Sequence, residues 1–238
     1  MQASDMATRV LERLDQPSGG YNTPTEAMSA LNEGLRFFAL LTLGIQRTAA
    51  ATLTPISGQI SFRMLTVFGD WLMPLRVSLN TGTVLRPSRL ADLDALDAAW
   101  QSGTGTSAPA RYAAMGFDFM VFYPLLGPDT NVNFVYAAAP VPLVQATDVP
   151  EIPLEYHGAL VDYGTYRLRF REGGQEFQKA MPYFQRFLDE AKRYAGYIRA
   201  RNLASRYDKL PFELEHADLS MLLTLSKRLP PLRKANGE

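Results

Sequence analysis

The chain has 238 residues, 47% of them hydrophobic, with 24 basic and 24 acidic side chains and no cysteine. That length and apolar fraction suit one large domain or two small ones around a proper core, and exclude disorder throughout. Absence of cysteine excludes disulfide staples, thiolate metal sites and cysteine nucleophiles, and zero formal net charge argues against strong nucleic-acid affinity in free solution.

The opening MQASDMATRVLERLD lacks the basic-then-apolar order of a secretory signal and reads as part of the fold. Val10, Leu11 and Leu14 mark a short amphipathic helix that QPSGG at 16–20 ends. Thr23, Pro24 and Glu26 then stand as N-cap, N1 and N3 of a second helix, with the glutamate closing a capping box. Met28, Leu31, Leu35, Phe38, Leu41 and Ile45 recur every three or four residues and carry it to about residue 47. The apolar run LRFFALLTLGI at 35–45 contains Arg36 and is about half of the roughly 20 residues a membrane span needs, so it reads as core helix.

From about residue 55 the pattern becomes β-like. QISFRML, WLMPLRVSL, TVLR, RYAAMGF, FMVFY and NVNFVYAA are rich in aromatic and branched residues and are punctuated by NTG, GP and PD, which predicts a small antiparallel sheet. SRLADLDALDAAW interrupts them as a short helix, with Ser88 as N-cap and Leu90, Leu93, Leu96 and Trp100 on one face.

PVPLVQATDVPEIP at 140–153 holds four prolines and reads as an extended crossing. Helical spacing resumes through Leu154, Leu160, Val161, Tyr163, Leu168 and Phe170 until Gly173 and Gly174 stop it. A last long helix runs through Phe177, Met181, Phe184, Leu188, Ala191, Ala195 and Ile198 to about Ser205, with Pro182 as a kink or an effective start. At 1.5 Å per residue this rod is about 45 Å long. The expected architecture is α+β. Residues 1–54 and 151–206 form a helical bundle, 55–150 a β-rich insertion with a short helix near 88–100, and 207–238 a C-terminal arm.

Neither histidine has a ligand or catalytic partner at a useful spacing. His157 is two residues from Glu155 and five from Asp162, which does not align them on one helix face, and His216 in FELEHADL stands alone. GTGTSA at 103–108 is not placed between a strand and a helix, so it reads as a flexible loop rather than a dinucleotide fingerprint. Asp92, Asp94 and Asp97 lack the glycine and terminal glutamate of a calcium loop and read as a solvated helix face. No catalytic residue, metal ligand or cofactor-binding residue is assigned.

Charge is unevenly spread. Residues 167–209 carry eleven basic and five acidic side chains, residues 227–238 four and one, and the remainder nine and eighteen. Opposite faces of neighbouring copies could therefore attract, although an ordinary solvated helix face accounts for the same split. Lys192, Arg193, Arg199, Arg201 and Arg206 are the candidates for contact with DNA or an acidic surface, interrupted by Glu190 and Asp208. In the arm, Phe212, Leu214, Leu219, Met221, Leu222, Leu223, Leu225 and Leu229 are too apolar for a tail that stays in water. They are candidate protein-interface residues together with Lys227, Arg228, Arg233 and Lys234. Folding of this tail back onto its own bundle is the alternative.

PEIPLEYHGALVDYGTYRLRFREGGQEF at 150–177, followed by a long helix, YIRARN at 197–202 and YDKLPFEL at 207–214, resembles the head-to-tail adaptor (connector) proteins of tailed bacteriophages. LRPSRLADLDALDAAW at 85–100, after DWLMPLRV, is a second patch of resemblance in the matching order. The resemblance covers about a third of the chain. It implies a helical bundle with a β-rich insertion, assembled as a dodecameric ring below the portal protein. It further implies extension of the DNA channel, docking of tail or nozzle proteins, and a location at the virion neck after assembly in the host cytoplasm. It calls for no nucleophile and no cofactor. A nucleic-acid-binding protein using the basic late helix, or an uncharacterised hydrolase, are the competing readings.

Overall fold

The computed structural model describes residues 1–16, 20–55, 60–103, 105, 108–116 and 118–203, with side chains to residue 199. The elements in chain order are α1 (Ala3–Arg13), α2 (Pro24–Thr42), β1 (Gln46–Leu53), β2 (Ser61–Arg63), α3 (Met64–Val67), β3 (Trp71–Leu79), β4 (Arg86–Pro87), α4 (Leu90–Leu96), β5 (Arg111–Met115), β6 (Phe119–Tyr123), β7 (Thr130–Ala138), α5 (His157–Glu172) and α6 (Gln175–Leu203). The fold class is α+β, as the periodicities predict.

The helical body consists of α1, α2, α5 and α6, with α5 packed against each of the other three. The capping box is present: Glu26 N donates to Thr23 Oγ1 at 3.2 Å, and Thr23 N donates to Glu26 Oε2 at 2.8 Å. The proline-rich crossing is extended, and it closes the start of α1. Ala3 N donates to Asp148 O at 2.8 Å and Ser4 N to Ala146 O at 3.0 Å, satisfying two of the amides that a helix N-terminus leaves open. Asn32 fastens the same crossing to α2 through both directions of a backbone pair with Leu143, at 2.8 and 2.7 Å.

Helix α2 stops at Thr42, about five residues short of the expected end near 47. Thr42 Oγ1 donates back to Phe38 O at 2.8 Å, Leu43 adopts the left-handed conformation at φ 51°, and Gly44 lies under Tyr194 of α6. A Cβ on Gly44 would sit 2.2 Å from the tyrosine ring, so the exit needs this glycine. Ile45 is buried as its place in the apolar stripe requires, but it lies in the connection to β1.

Two sheets replace the single antiparallel sheet expected. One has the order β1-β7-β3, all antiparallel; the other has the order β2-β6-β5-β4 with a parallel β4–β5 pair. β1 pairs with β7 from Gln46 to Leu53, yet its QRTAAATL sequence is alanine-rich, with two threonines but no valine, isoleucine or aromatic residue to announce a strand. β3 bulges between Trp71 and Met73 and again between Pro74 and Arg76, where proline has no amide to donate to β7. Trp71 stacks on Tyr136 at 5.1 Å and meets Phe134 edge-on at 5.7 Å, and this aromatic group is continuous with the helical core.

Helix α4 is capped at Arg89, not Ser88, because Asp92 Oδ2 accepts from Arg89 N at 2.9 Å. Leu93 and Trp100 are buried there, but Leu96 is exposed and Trp100 lies past the helix in a 3-10 turn, its indole donating to Asp94 Oδ1 at 2.8 Å. Helix α5 begins at His157 after a 3-10 turn over Leu154–Tyr156, leaving Leu154 exposed, and ends at Gly173 with φ 73°. Helix α6 has 29 residues and passes through Pro182, so the proline is not its start. Its first turns are held from across the glycines, by Phe177 against Phe170 at 5.0 Å and by Glu176 with Arg169 at 2.6 Å.

Candidate functional site

The stretch from Glu155 to Phe177 gathers one histidine, several acids and several tyrosines, and the fold separates them. His157 is 2% exposed. Its Nε2 is 3.0 Å from Ile152 O and its Nδ1 3.1 Å from the amino group of Met1, which sets a neutral ring donating through Nε2 and accepting through Nδ1. Burial depresses its pKa below the ordinary histidine value. Asp162 instead faces two arginines, Arg13 at 2.6 Å and Arg186 at 3.1 Å, tying α1, α5 and α6 together. Glu155 is exposed. The three groups do not converge on one point where a substrate atom could sit.

The arginines of RLRFRE are engaged one element at a time. Arg167 pairs with Glu33 of α2 at 2.9 Å, beside the Tyr163 hydroxyl that donates to the same carboxylate at 2.9 Å. Burial pushes that hydroxyl above its ordinary pKa. Arg169 donates to Arg13 O at the end of α1 and to Glu176 of α6, both at 2.6 Å. Arg171 reaches Asn22 ahead of α2 and Glu26 inside it, and its guanidinium lies 5.2 Å from the Tyr21 ring centroid. The hydrogen bond from Arg171 holds the Glu26 carboxyl down at about 2. These polar residues join four helices through specific geometry.

The aspartates expected on a solvated face have local partners: Asp92 caps α4, Asp94 accepts from Trp100, and Asp97 Oδ1 accepts from Ala99 N at 2.9 Å. Among the described residues no group of three histidine, aspartate or glutamate side chains could hold a metal ion, and no helix is long and apolar enough to cross a membrane. Only Gly103, Gly105 and Ala108 of the GTGTSA loop are among the described residues.

On α6, Lys192, Arg193 and Arg199 are exposed. Arg193 is paired with Glu190 at 2.9 Å, whereas Lys192 and Arg199 have no ion-pair partner among the described residues. They are seven positions apart, two turns along one face, with Gly196 between them and Tyr197 exposed beside them. The Arg201 side chain, Arg206, His216 and the arm residues Phe212 to Lys234 lie outside the described residues. Sequence reasoning missed a further surface: Val141, Val144, Val149 and Leu154 stand exposed along the crossing. Their signal was available, since a segment with four prolines that bonds the helix starts through its backbone leaves its valines outside.

A comparison with family models matches residues 1–208, a span that includes every described residue, to the SU10 adaptor protein family. The chain belongs to this family. It is a family of phage head-to-tail adaptors, which makes the chain a phage structural adaptor. Membership implies interaction with portal and tail proteins and a place at the virion neck. No curated protein matches the chain.

Proposed function

We propose that this adaptor assembles as a dodecameric ring between the portal and the tail, extends the DNA channel and receives tail or nozzle proteins. The family match over residues 1–208 carries the reading. It is supported by the use of the α5 side chains as ties between helices, which leaves that stretch without a free nucleophile–base pair, and the adaptor has no turnover of its own. Assembly takes place in the host cytoplasm.

In the ring, the basic face of α6 with Lys192, Arg193 and Arg199, and Arg201 and Arg206 further along the sequence, meet packaged DNA or an acidic surface of a neighbour. Those contacts are imposed by confinement, so a gel shift of free adaptor at about 0.15 M salt stays weak. The arm, residues 207–238, docks on a neighbouring copy or on the portal through its leucines, with Lys227, Arg228, Arg233 and Lys234 at acidic or DNA-facing surface. Each leucine fully buried contributes about 1.5–3 kcal/mol.

The test is particle imaging of virions carrying a labelled chain. Label at the neck, between portal and tail, is the expected result. Copurification with capsid-free tails and never with portal-containing heads overturns the proposal.

A further inference from the structure

An apolar groove of about 380 Å³ opens where the end of α2 meets both sheets. It is lined by Leu40 and Leu43 at the end of α2, Trp71 and Met73 of β3, and Phe119 and Met120 of β6. Among the described residues no charged side chain lines it, and Leu40 at 46% and Phe119 at 37% exposure present large hydrophobic surface to solvent. An apolar concavity of this size takes a short hydrophobic segment.

The chain itself supplies a segment of that chemistry. Tyr194 packs on Gly44, the residue next to Leu43 at the groove, and α6 continues nine residues further to Leu203, roughly 14 Å at the helical rise. Thirty-five residues follow Leu203, and sixteen of them precede and reach Leu219, an extended reach of up to about 50 Å. That length allows the segment to reach the groove of an adjacent copy. Between Leu219 and Leu229 the sequence LSMLLTLSKRL places apolar residues without acidic interruption, and its charged residues, Lys227 and Arg228, fall near one end, where they can stay outside an uncharged groove.

We infer that this groove is the receptor for residues 219–229 of a neighbouring copy of the chain. The inference rests on the docking-arm reading above and adds the surface that receives the arm. The acceptor is assembled from α2, β3 and β6, elements distant in sequence, so it exists only once the helical body and the sheets have closed on each other.

The natural chain has no cysteine, so a single introduced pair gives an unambiguous disulfide. Full-length protein carrying Leu40→Cys with Leu222→Cys is oxidised beside a control carrying Val144→Cys with Leu222→Cys, since Val144 is 73% exposed on a different surface. A groove pair that crosslinks between chains at least about tenfold faster than the control supports the inference. A groove product within one chain means that the tail folds back on its own bundle, and overturns it. Equal rates, or no groove crosslink in protein with native circular dichroism, overturn it. Deleting residues 210–238 tests the arm reading separately: if the deletion still abolishes joining to portal-containing heads while the groove crosslink fails, the arm docks elsewhere, and if deletion leaves joining intact the arm reading itself falls.

Discussion

Helices α5 and α6 lie side by side, joined across two glycines, and use their charged residues in opposite ways. On α5, Asp162, Arg167, Arg169 and Arg171 each bond to another element. On the second half of α6, one face buries Phe187, Leu188, Ala191 and Tyr194, and the other leaves Lys192 and Arg199 in solvent without a described partner. Both stretches are arginine-rich, so composition alone would class them together. A charge that ties elements together is part of the scaffold, whereas an unpaired charge on a rigid rod is available to something outside the fold. The α6 face is therefore the surface to reverse when the proposed assembly contacts are tested.

The most damaging change to either helix is removal of the core they share. Phe187 is fully buried between Phe37 at 5.8 Å, Phe38 at 6.0 Å and Tyr163 at 4.9 Å. Phe187→Ala costs about 3–5 kcal/mol, measured as a lower urea midpoint, and a loss below 1 kcal/mol would mean that α6 does not pack here. Next in size is the tie itself. Asp162→Ala strips the partner from Arg13 and Arg186 and costs about 1.5–3 kcal/mol, whereas an unchanged midpoint would make the α5 charges as dispensable as those of α6.

A pH titration separates two of the α5-side contacts. His157 has a folded pKa below its unfolded value, so the unfolded state takes up its proton first as pH falls. Its contribution is complete above about pH 6.5 and is lost as the pH drops below that toward the folded value. His157→Gln should flatten the stability curve between about pH 7 and pH 5; a parallel curve would refute the buried neutral ring. Glu26, also depressed, keeps its contribution above the unfolded carboxylate value of 4.5 and loses it as pH falls toward about 2, so Glu26→Gln should act only on that lower limb.

The smallest effect on folding belongs to the α6 face. Lys192→Glu with Arg199→Glu should shift stability by no more than about 0.5 kcal/mol yet reduce joining of adaptor to portal-containing heads, followed by cosedimentation. Normal joining by the doubly reversed protein would remove this face from the assembly surface. By contrast, Arg167→Ala, which breaks a half-exposed pair, should cost about 0.2–1 kcal/mol and leave joining alone.

Local signals determined much of this protein. The Thr23–Glu26 box, the stripe from Met28 to Phe38, the glycine stop at 173–174 and the long α6 all follow from contacts within a few residues, which a sequence displays directly. The adaptor resemblance was legible for a related reason, since PEIPLEYHGALVDYGTYRLRFREGGQEF carries the residues that join the helices. What those residues bond to was not legible. Spacing along the chain says that His157 and Asp162 share no helix face, but only the packed body assigns one to Ile152 and Met1 and the other to Arg13 and Arg186. The early end of α2 and the strand β1 also belong to tertiary structure. Tyr194, some 150 positions away, leaves room only for glycine at 44, and β7 pairs an alanine-rich segment whose own propensity is weak. The apolar groove is the same case, because Leu40 and Leu43, residues 71–74, and Phe119 and Met120 come from separate parts of the sequence, and only the fold places them around one space.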